Sequence, residues 1–533
     1  MNRRTLLKRG TGLAAVAAWT AACDGEAGPA AGPTGSGSPT RPVPSRPTLG
    51  GNGSTRPPGT AIPWNALAQG LGGSLLRPGD SDWTTARRLY NTRFDALRPA
   101  AVAYVDGPDD VRECLAFARR HGTPVSVRGG GHSYAGWSSG DGRLVVDVSR
   151  LSRIGRPGSE VAVGAGARLI DVYRSLARHG RTVPAGSCPT VGIAGLALGG
   201  GHGVVSRAYG LTCDSLTGAT LVTADGRTLR TSATEHPDLF WALRGAGNAQ
   251  FGVVTELRFR THPAPDAVSG NLTWPWSRAR EVVAAWQEWG PSQPDEIWSA
   301  LHLSADPGGP PRLSVSVCSL GTYGGLRNAV DRLATRTGAA ASGVSLRRLS
   351  HAEAMDRYAG CASLDEERCR LPGRTPGRGP RGALERETYA ARSAFFDRSL
   401  SAAGIHTLLN RVESFTGPAL GRGDQCSVAL TALGGAVNRI SPGATAFVHR
   451  RSRMLAQYLV SWQPGTPGTA GTAWLAATHD AMRRHASGAA YQNYTDPALT
   501  DWRTAYYGAN APRLAVVKRK YDPDRFFTFP QAL

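Results

Sequence analysis

Two glycine-dense runs constrain this chain more than any other feature. One is Arg128-Gly129-Gly130-Gly131-His132-Ser133-Tyr134; the other spans Gly186-Ser187-Cys188-Pro189-Thr190-Val191-Gly192 and Gly195-Leu196-Ala197-Leu198-Gly199-Gly200-Gly201-His202-Gly203. The first follows Pro124-Val125-Ser126-Val127, which reads as a strand. The second follows a strand at Val161 to Val163 and a helix over Leu169 to Leu176. Glycines after a strand offer bare amides and let backbone approach a ligand closely, as a pyrophosphate requires. A single run could serve a tight turn. Two of them among apolar residues predict backbone pressed against a large flat ligand.

The surrounding pattern supplies a scaffold. Ala101 to Val105 reads as a strand, and Pro108-Asp109-Asp110 opens an amphipathic helix with Val111, Cys114, Leu115 and Ala118 on one face. The glycine loops stop after Phe259-Arg260-Thr261-His262-Pro263. Beyond them, Leu313 to Val317, Ser427 to Leu433 and Leu455 to Trp462 read as strands, and Arg278 to Trp289, Leu326 to Arg336 and Ala391 to Leu400 as helices. A chain of 533 residues exceeds one ordinary core, so at least two lobes are expected. Residues 361–383, rich in Arg, Gly and Pro, read as a surface loop. Cys361 and Cys369 are close enough for a small disulfide there, or are two buried thiols.

The net charge of +21 raises the question of nucleic acid, but only Lys8, Lys518 and Lys520 are lysines, and the arginines scatter without forming a stripe. Nucleic-acid binding is therefore not expected, and no CxxC pair suggests a metal. Residues 1–23 read as a signal peptide: a charged head with Arg3-Arg4 ahead of Leu6 and Leu7, then an apolar stretch too short to span a bilayer. The paired arginines resemble a twin-arginine export signal. Thr20-Ala21-Ala22-Cys23 resembles a lipobox, so the mature protein is either lipid-anchored through Cys23 or freely secreted. Residues 24–63 collapse to Gly, Pro, Ser, Thr and Ala, a disordered spacer.

RGGGHSY, GSCPTVGIAGLALGGGHG, SRAYGLTCD and DLFWALRGAGNAQFGVVTELRFR, in that order, resemble the FAD domain of the berberine-bridge-enzyme-like oxidases of the vanillyl-alcohol-oxidase type. The tail from Tyr491-Gln492-Asn493-Tyr494 to Lys520-Tyr521-Asp522-Pro523 resembles that family's closing segment. The resemblance implies an α+β fold: a two-lobed PCMH-type FAD-binding domain plus an antiparallel-sheet substrate domain. On it, residues 64–266 form the FAD domain, 267–484 the substrate domain, and 485–533 a segment returning to the FAD lobe.

It also implies FAD bound bicovalently, with His132 joined to the flavin 8α carbon and Cys188 to ring carbon C6. Arg128, Gly129, Gly130, Gly131, Ser133, Val191, Gly192, Gly195, Gly199, Gly200, Gly201, Gly252, Val253, Val254, Tyr491 and Asn493 are the other expected cofactor contacts. Val191 stands where oxygen-reactive members carry a valine gate. Oxidising a hydroxyl-bearing carbon needs a base for its O–H proton while the hydride leaves for the flavin. Tyr491 is the leading candidate, with Tyr494 and His202 as alternatives and Tyr134 as a supporting hydroxyl. The glutamate base of alkaloid-forming members is expected to be replaced near Ala444. The expected activity is hydride transfer from an alcohol-type carbon of a carbohydrate or hydroxylated metabolite to the flavin, with O2 as acceptor. The rivals are a dehydrogenase with another acceptor and a binding protein that lost its chemistry. Substrate identity and oligomeric state are not legible.

Overall fold

The computed structural model describes residues 62–533. The export head, the Cys23 lipobox and nearly all of the spacer therefore lie outside the described residues. Among the described residues no helix is long and apolar enough to cross a membrane.

The first lobe begins with β1 (Ser74–Leu76), β2 (Ala101–Tyr104), β3 (Val125–Arg128) and β4 (Leu144–Asp147), in the order β1-β2-β4-β3. β2, β4 and β3 run parallel, as the intervening helix Pro108–His121 demands, and β2 and β4 are buried along their whole length. That helix starts at Pro108, which needs no amide partner there, and ends at Gly122 in the left-handed region (φ 60°). Six strands follow in chain order: β5 (Glu160–Gly164), β6 (Arg181–Thr182), β7 (Leu216–Val222), β8 (Thr228–Ser232), β9 (Val253–Arg260) and β10 (His262–Pro263). Four of them form an antiparallel sheet, β5-β9-β7-β8, and β6 pairs with β10. The first glycine loop leaves the end of β3, and the second follows β6, which comes after the helix Leu169–Ala177.

The second lobe is a seven-stranded antiparallel sheet in the order β14-β11-β13-β12-β16-β17-β15. Its strands are β11 (Ala267–Trp274), β12 (Ile297–Ala305), β13 (Arg312–Ser319), β14 (Gly343–Leu349), β15 (Tyr389–Phe396), β16 (Gln425–Ala432) and β17 (Met454–Ser461). Alternation along β12 defines the two faces: Leu301 and Leu303 join Val283, Trp286, Leu408 and Leu475 in a helix-covered core, while Trp298 and Ala300 pack toward the first lobe. Ala391 to Leu400, expected as a helix on its alanines, is instead mostly β15, paired with β17 from Tyr389↔Ser461 to Phe396↔Met454. Full burial of Phe395 and Phe396 in the sheet overrides a local preference worth a few tenths of a kcal/mol per residue.

After the helix Thr469–Arg483 the chain returns to the first lobe. Tyr506, Tyr507, Leu514, Val517, Tyr521 and Phe527 complete the first core. Buried Lys518 closes the tail, donating to Asp522 at 2.7 Å and to the Gln250 carbonyl at 2.6 Å. A buried bidentate pair, Arg450 with Asp214 at 2.7 and 2.8 Å, ties the lobes together. Residues 361–383 are irregular, as expected, but not loose: Cys361 and Cys369 are a buried disulfide, and Arg370 bonds Asp171 of the first lobe at 2.7 Å.

Candidate active site

A cavity of about 370 Å³ lies between the glycine loops, the sheet face of the second lobe and the returning tail. That is within the range of roughly 300–1,000 Å³ usual for cofactor and ligand pockets. The two glycine systems pack against each other: a Cβ on Gly130 would lie 2.3 Å from the Gly192 amide, and one on Gly192 would lie 2.6 Å from the Gly130 amide. Gly195, also on the wall, has nothing within 4 Å of a hypothetical Cβ, so its bare backbone faces open space. Close loop-to-loop packing plus an open glycine floor is a cradle for a flat ring system.

Thr190 joins the two expected attachment residues. Its hydroxyl is 2.9 Å from His132 Nε2 and 3.9 Å from Cys188 Sγ. The His132 ring stacks on Tyr90 at 4.0 Å. Burial, helped by the Arg168 charge, lowers the His132 pKa to about 3, which keeps the imidazole neutral and nucleophilic at pH 7.

The tail carries the proton-handling groups. Tyr491 Oη accepts hydrogen bonds from the Gly201 amide at 2.8 Å and from Asn493 Nδ2 at 2.9 Å. Asn493 is itself fixed, donating to the Leu196 carbonyl at 2.9 Å and accepting from Asn248 at 2.9 Å. Tyr494 Oη is 2.9 Å from His202 Nε2, and its ring stacks on Tyr134 at 5.1 Å. Tyr134 Oη accepts from Gln457 Nε2 at 2.7 Å. Burial raises the phenol pKa of Tyr134, Tyr491 and Tyr494 and lowers His202 to about 4. No Asp, Glu, Lys or Arg lines the cavity among the described residues.

The cavity thus gathers Tyr134, His202, Tyr491 and Tyr494 with Gly129, Gly130, Gly131, His132, Ser133, Cys188, Val191, Gly192, Gly195, Gly252, Val254 and Asn493. Five expected cofactor contacts lie elsewhere. Arg128 turns away behind the loop into a buried ion pair with Asp147. Val253 is in the first core. Gly199, Gly200 and Gly201 make room for neighbours: their Cβ atoms would strike Asn493 Oδ1 at 1.9 Å, the Phe447 ring at 3.0 Å and Thr212 Oγ1 at 2.2 Å. Gly199 thereby seats Asn493 of the tail, and Gly200 and Gly201 make room for Phe447 and Thr212. Ala444 is exposed and away from the cavity, and the amide of Gln457 is one of the polar side chains that the sheet presents.

The sheet also contributes residues that the sequence did not single out. Trp298, Ala300 and His302 from β12, Tyr389 from β15 and Thr431 from β16 line the cavity. Trp298 Nε1, His302 Nε2, His202 Nδ1 and Asn248 Oδ1 are among the wall atoms buried without a hydrogen-bond partner among the described residues. Buried polar atoms are normally satisfied, so a wall with several unmet ones is built for a polar ligand. Alternation along β12 is the signal that could have found Trp298 and His302; burial on both faces of the strand hides it.

These features define a flavin-binding oxidoreductase. Residues 99–232 match the FAD binding domain family, and residues 490–533 match the berberine and berberine-like family. The chain belongs to the berberine-bridge-enzyme-like FAD-linked oxidoreductases. It is 30% identical over 472 residues to the uncharacterized FAD-linked oxidoreductase YgaK of Bacillus subtilis, covering 87% of this chain and 97% of that protein. It is also 30% identical over 476 residues to the chitooligosaccharide oxidase of Gibberella zeae, covering 85% and 91%. Among solved structures, Physcomitrella patens BBE-like 1 matches with a TM-score of 0.79 at 30% identity, covering 89% of this chain and 99% of that one. The xylooligosaccharide oxidase of Myceliophthora thermophila in complex with xylobiose matches with a TM-score of 0.76 at 28% identity, covering 89% and 99%.

Proposed function

We propose that the protein oxidises a hydroxyl-bearing carbon of a neutral, hydroxyl-rich small molecule, of the kind an oligosaccharide presents, with FAD joined to His132 and Cys188. The observation that carries this reading is the Tyr491 hydroxyl held by two N–H donors. With both bonds accepted from the protein, the remaining O–H direction is free for substrate, and the same two donors stabilise the phenolate against the burial that disfavours it. When bound, FAD supplies the two-electron acceptor for the C–H hydride and passes the pair to dioxygen, giving hydrogen peroxide.

Tyr491 Oη takes the substrate O–H proton. His202, neutral at pH 7, holds the Tyr494 hydroxyl and limits that phenol's freedom to serve as the base. Gln457 fixes Tyr134, whose ring stacks on Tyr494 and walls the pocket. The unmet Trp298 N–H and the unmet His302 ring nitrogen suit hydroxyl groups, and an uncharged lining favours an uncharged substrate, since a lone charge there would be desolvated without a partner. The oligosaccharide oxidases among the relatives support the substrate class.

The test is anaerobic mixing of the flavin-loaded protein with neutral oligosaccharides, simple alcohols and charged sugar acids. Bleaching by a neutral sugar, followed by one peroxide per substrate on admitting oxygen, is the expected result. Bleaching by charged substrates alone would overturn it. Export belongs to the same reading: replacing Arg3-Arg4 by lysines should leave the protein in the cytoplasm, and unchanged secretion would remove the twin-arginine route.

A further inference from the structure

The glycine loop Gly129–Gly131 has two sides. One borders the cavity; the other walls a second, small pocket of about 30 Å³ into which Arg128, Arg168 and Arg378 converge. Arg128 and Arg168 are only 4% and 8% exposed. The Nε of Arg128 bonds to the Asp147 carboxylate, and Arg168 Nη2 donates to Ser149 Oγ at 3.1 Å. The Nη1 atoms of both arginines are buried with no hydrogen-bond partner among the described residues. Arg378 arrives on the disulfide-tied loop 361–383, and the neighbouring Gly377 sits so close that a Cβ there would lie 2.0 Å from Arg168 Nη2.

The local charge does not balance. Among the described residues Asp147 is the one carboxylate lining the pocket. Asp171 already bonds Arg370 at 2.7 Å, and Arg88, also on the wall, faces Asp95 at 3.8 Å. Buried Arg128 and Arg168 and half-buried Arg378, which donates to the Pro372 carbonyl at 3.2 Å, therefore share one carboxylate, and arginine does not shed its proton in a protein. Buried charge without a counter-charge is strongly disfavoured, so a fold holding this cluster calls for an anion.

We infer that this pocket binds a small inorganic monovalent anion of the chloride class between Arg128, Arg168 and Arg378. The volume admits two or three water-sized atoms, since each needs roughly 10–15 Å³, and a dinucleotide pyrophosphate does not fit. The unmet Nη1 donors give the ion directed contacts, and the loop that closes over it carries the third charge. The site bears on the flavin loop: Arg168 and Arg378 both depress the basicity of His132, and an anion between them weakens that field.

The experiment uses the flavin-loaded full chain, so that the dinucleotide site is filled. Crystals grown in bromide should show an anomalous peak in the pocket within hydrogen-bond reach of both Nη1 atoms. In solution at constant ionic strength, replacing gluconate, which is too large to enter, by chloride or bromide should raise the melting temperature in a saturable way. Arg378→Gln should weaken the apparent affinity at least tenfold. This loop residue keeps the test decidable if Arg168→Gln does not fold. Three results would overturn the assignment: no anomalous peak in the pocket, a peak seen without flavin but lost on loading, or identical anion dependence in the parent and Arg378→Gln.

Discussion

Tyr491→Phe removes a single oxygen and leaves the ring, its packing and the backbone of the tail in place. In the parent that oxygen accepts two hydrogen bonds, from Gly201 at 2.8 Å and Asn493 at 2.9 Å, which strengthen as the phenol gives way to phenolate. A hydrogen bond to a charged group contributes about 1.5–3 kcal/mol, so the pair supplies about 3–6 kcal/mol to the deprotonated state. At about 1.4 kcal/mol per decade this is a factor of about 10² to 10⁴. It coincides with the 10²- to 10⁴-fold usual for a positioned general base. The assay is the rate of anaerobic flavin reduction at saturating substrate by rapid mixing. Tyr491→Phe should keep its flavin and lose about two to four decades. Asn493→Ala, which removes one donor and leaves the phenol, should lose about one to two. Tyr494→Phe, whose hydroxyl faces His202, should lose less than Tyr491→Phe. If Tyr491→Phe reduces within threefold of the parent while Tyr494→Phe or His202→Ala is crippled, the base has been misassigned.

Three further outcomes follow from the same geometry. Gly199→Ala places a methyl 1.9 Å from Asn493 Oδ1 and should cost about tenfold or more in flavin reduction with flavin content unchanged; parent-like reduction would show that Asn493 is not held for this purpose. Stability should fall with acid: His132, His202, His302 and His449 have folded pKa values of about 3 to 4 against about 6.5 unfolded, so the unfolded chain binds the extra protons. The loss begins as pH drops below about 6.5 and levels off near 3. His302, fully buried, contributes on the order of 3 kcal/mol, so His302→Gln should flatten a denaturation series from pH 7 to 4; an unchanged slope would contradict it. Replacing Cys361 and Cys369 together by alanine opens a small loop, with a sequence separation of 8, and should cost about 2–3 kcal/mol in urea titration; no loss would mean the loop is held by its ion pairs alone.

What the sequence disclosed and what it hid divide along physical lines. The glycine loops were legible because glycine at that density has few other uses, and His132, Cys188 and Tyr491 were legible because each stands within a long motif. The same density misled in one respect: Gly199, Gly200 and Gly201 accommodate Asn493, Phe447 and Thr212, a side-chain packing role that a glycine count cannot distinguish from ligand contact. Trp298, His302, Tyr389 and Gln457 were not found because both faces of their strands are buried, one by helices and one by the first lobe, which erases the polar alternation that marks a site-facing strand. β15 was missed because its alanines favour a helix locally, while its pairing with β17 is specified far away in the chain. The Arg128–Arg168–Arg378 cluster is invisible in a sequence where arginines are everywhere.

Thr190 touches both residues assigned to the flavin, and the fate of their side-chain atoms is the most direct reading of the site. Peptides from denatured, unreduced holoprotein should be mapped by mass. The expected result is one FAD bridging the His132 and Cys188 peptides. Recovery of unmodified His132 and Cys188 peptides, with all flavin released into the supernatant, would contradict the covalent assignment.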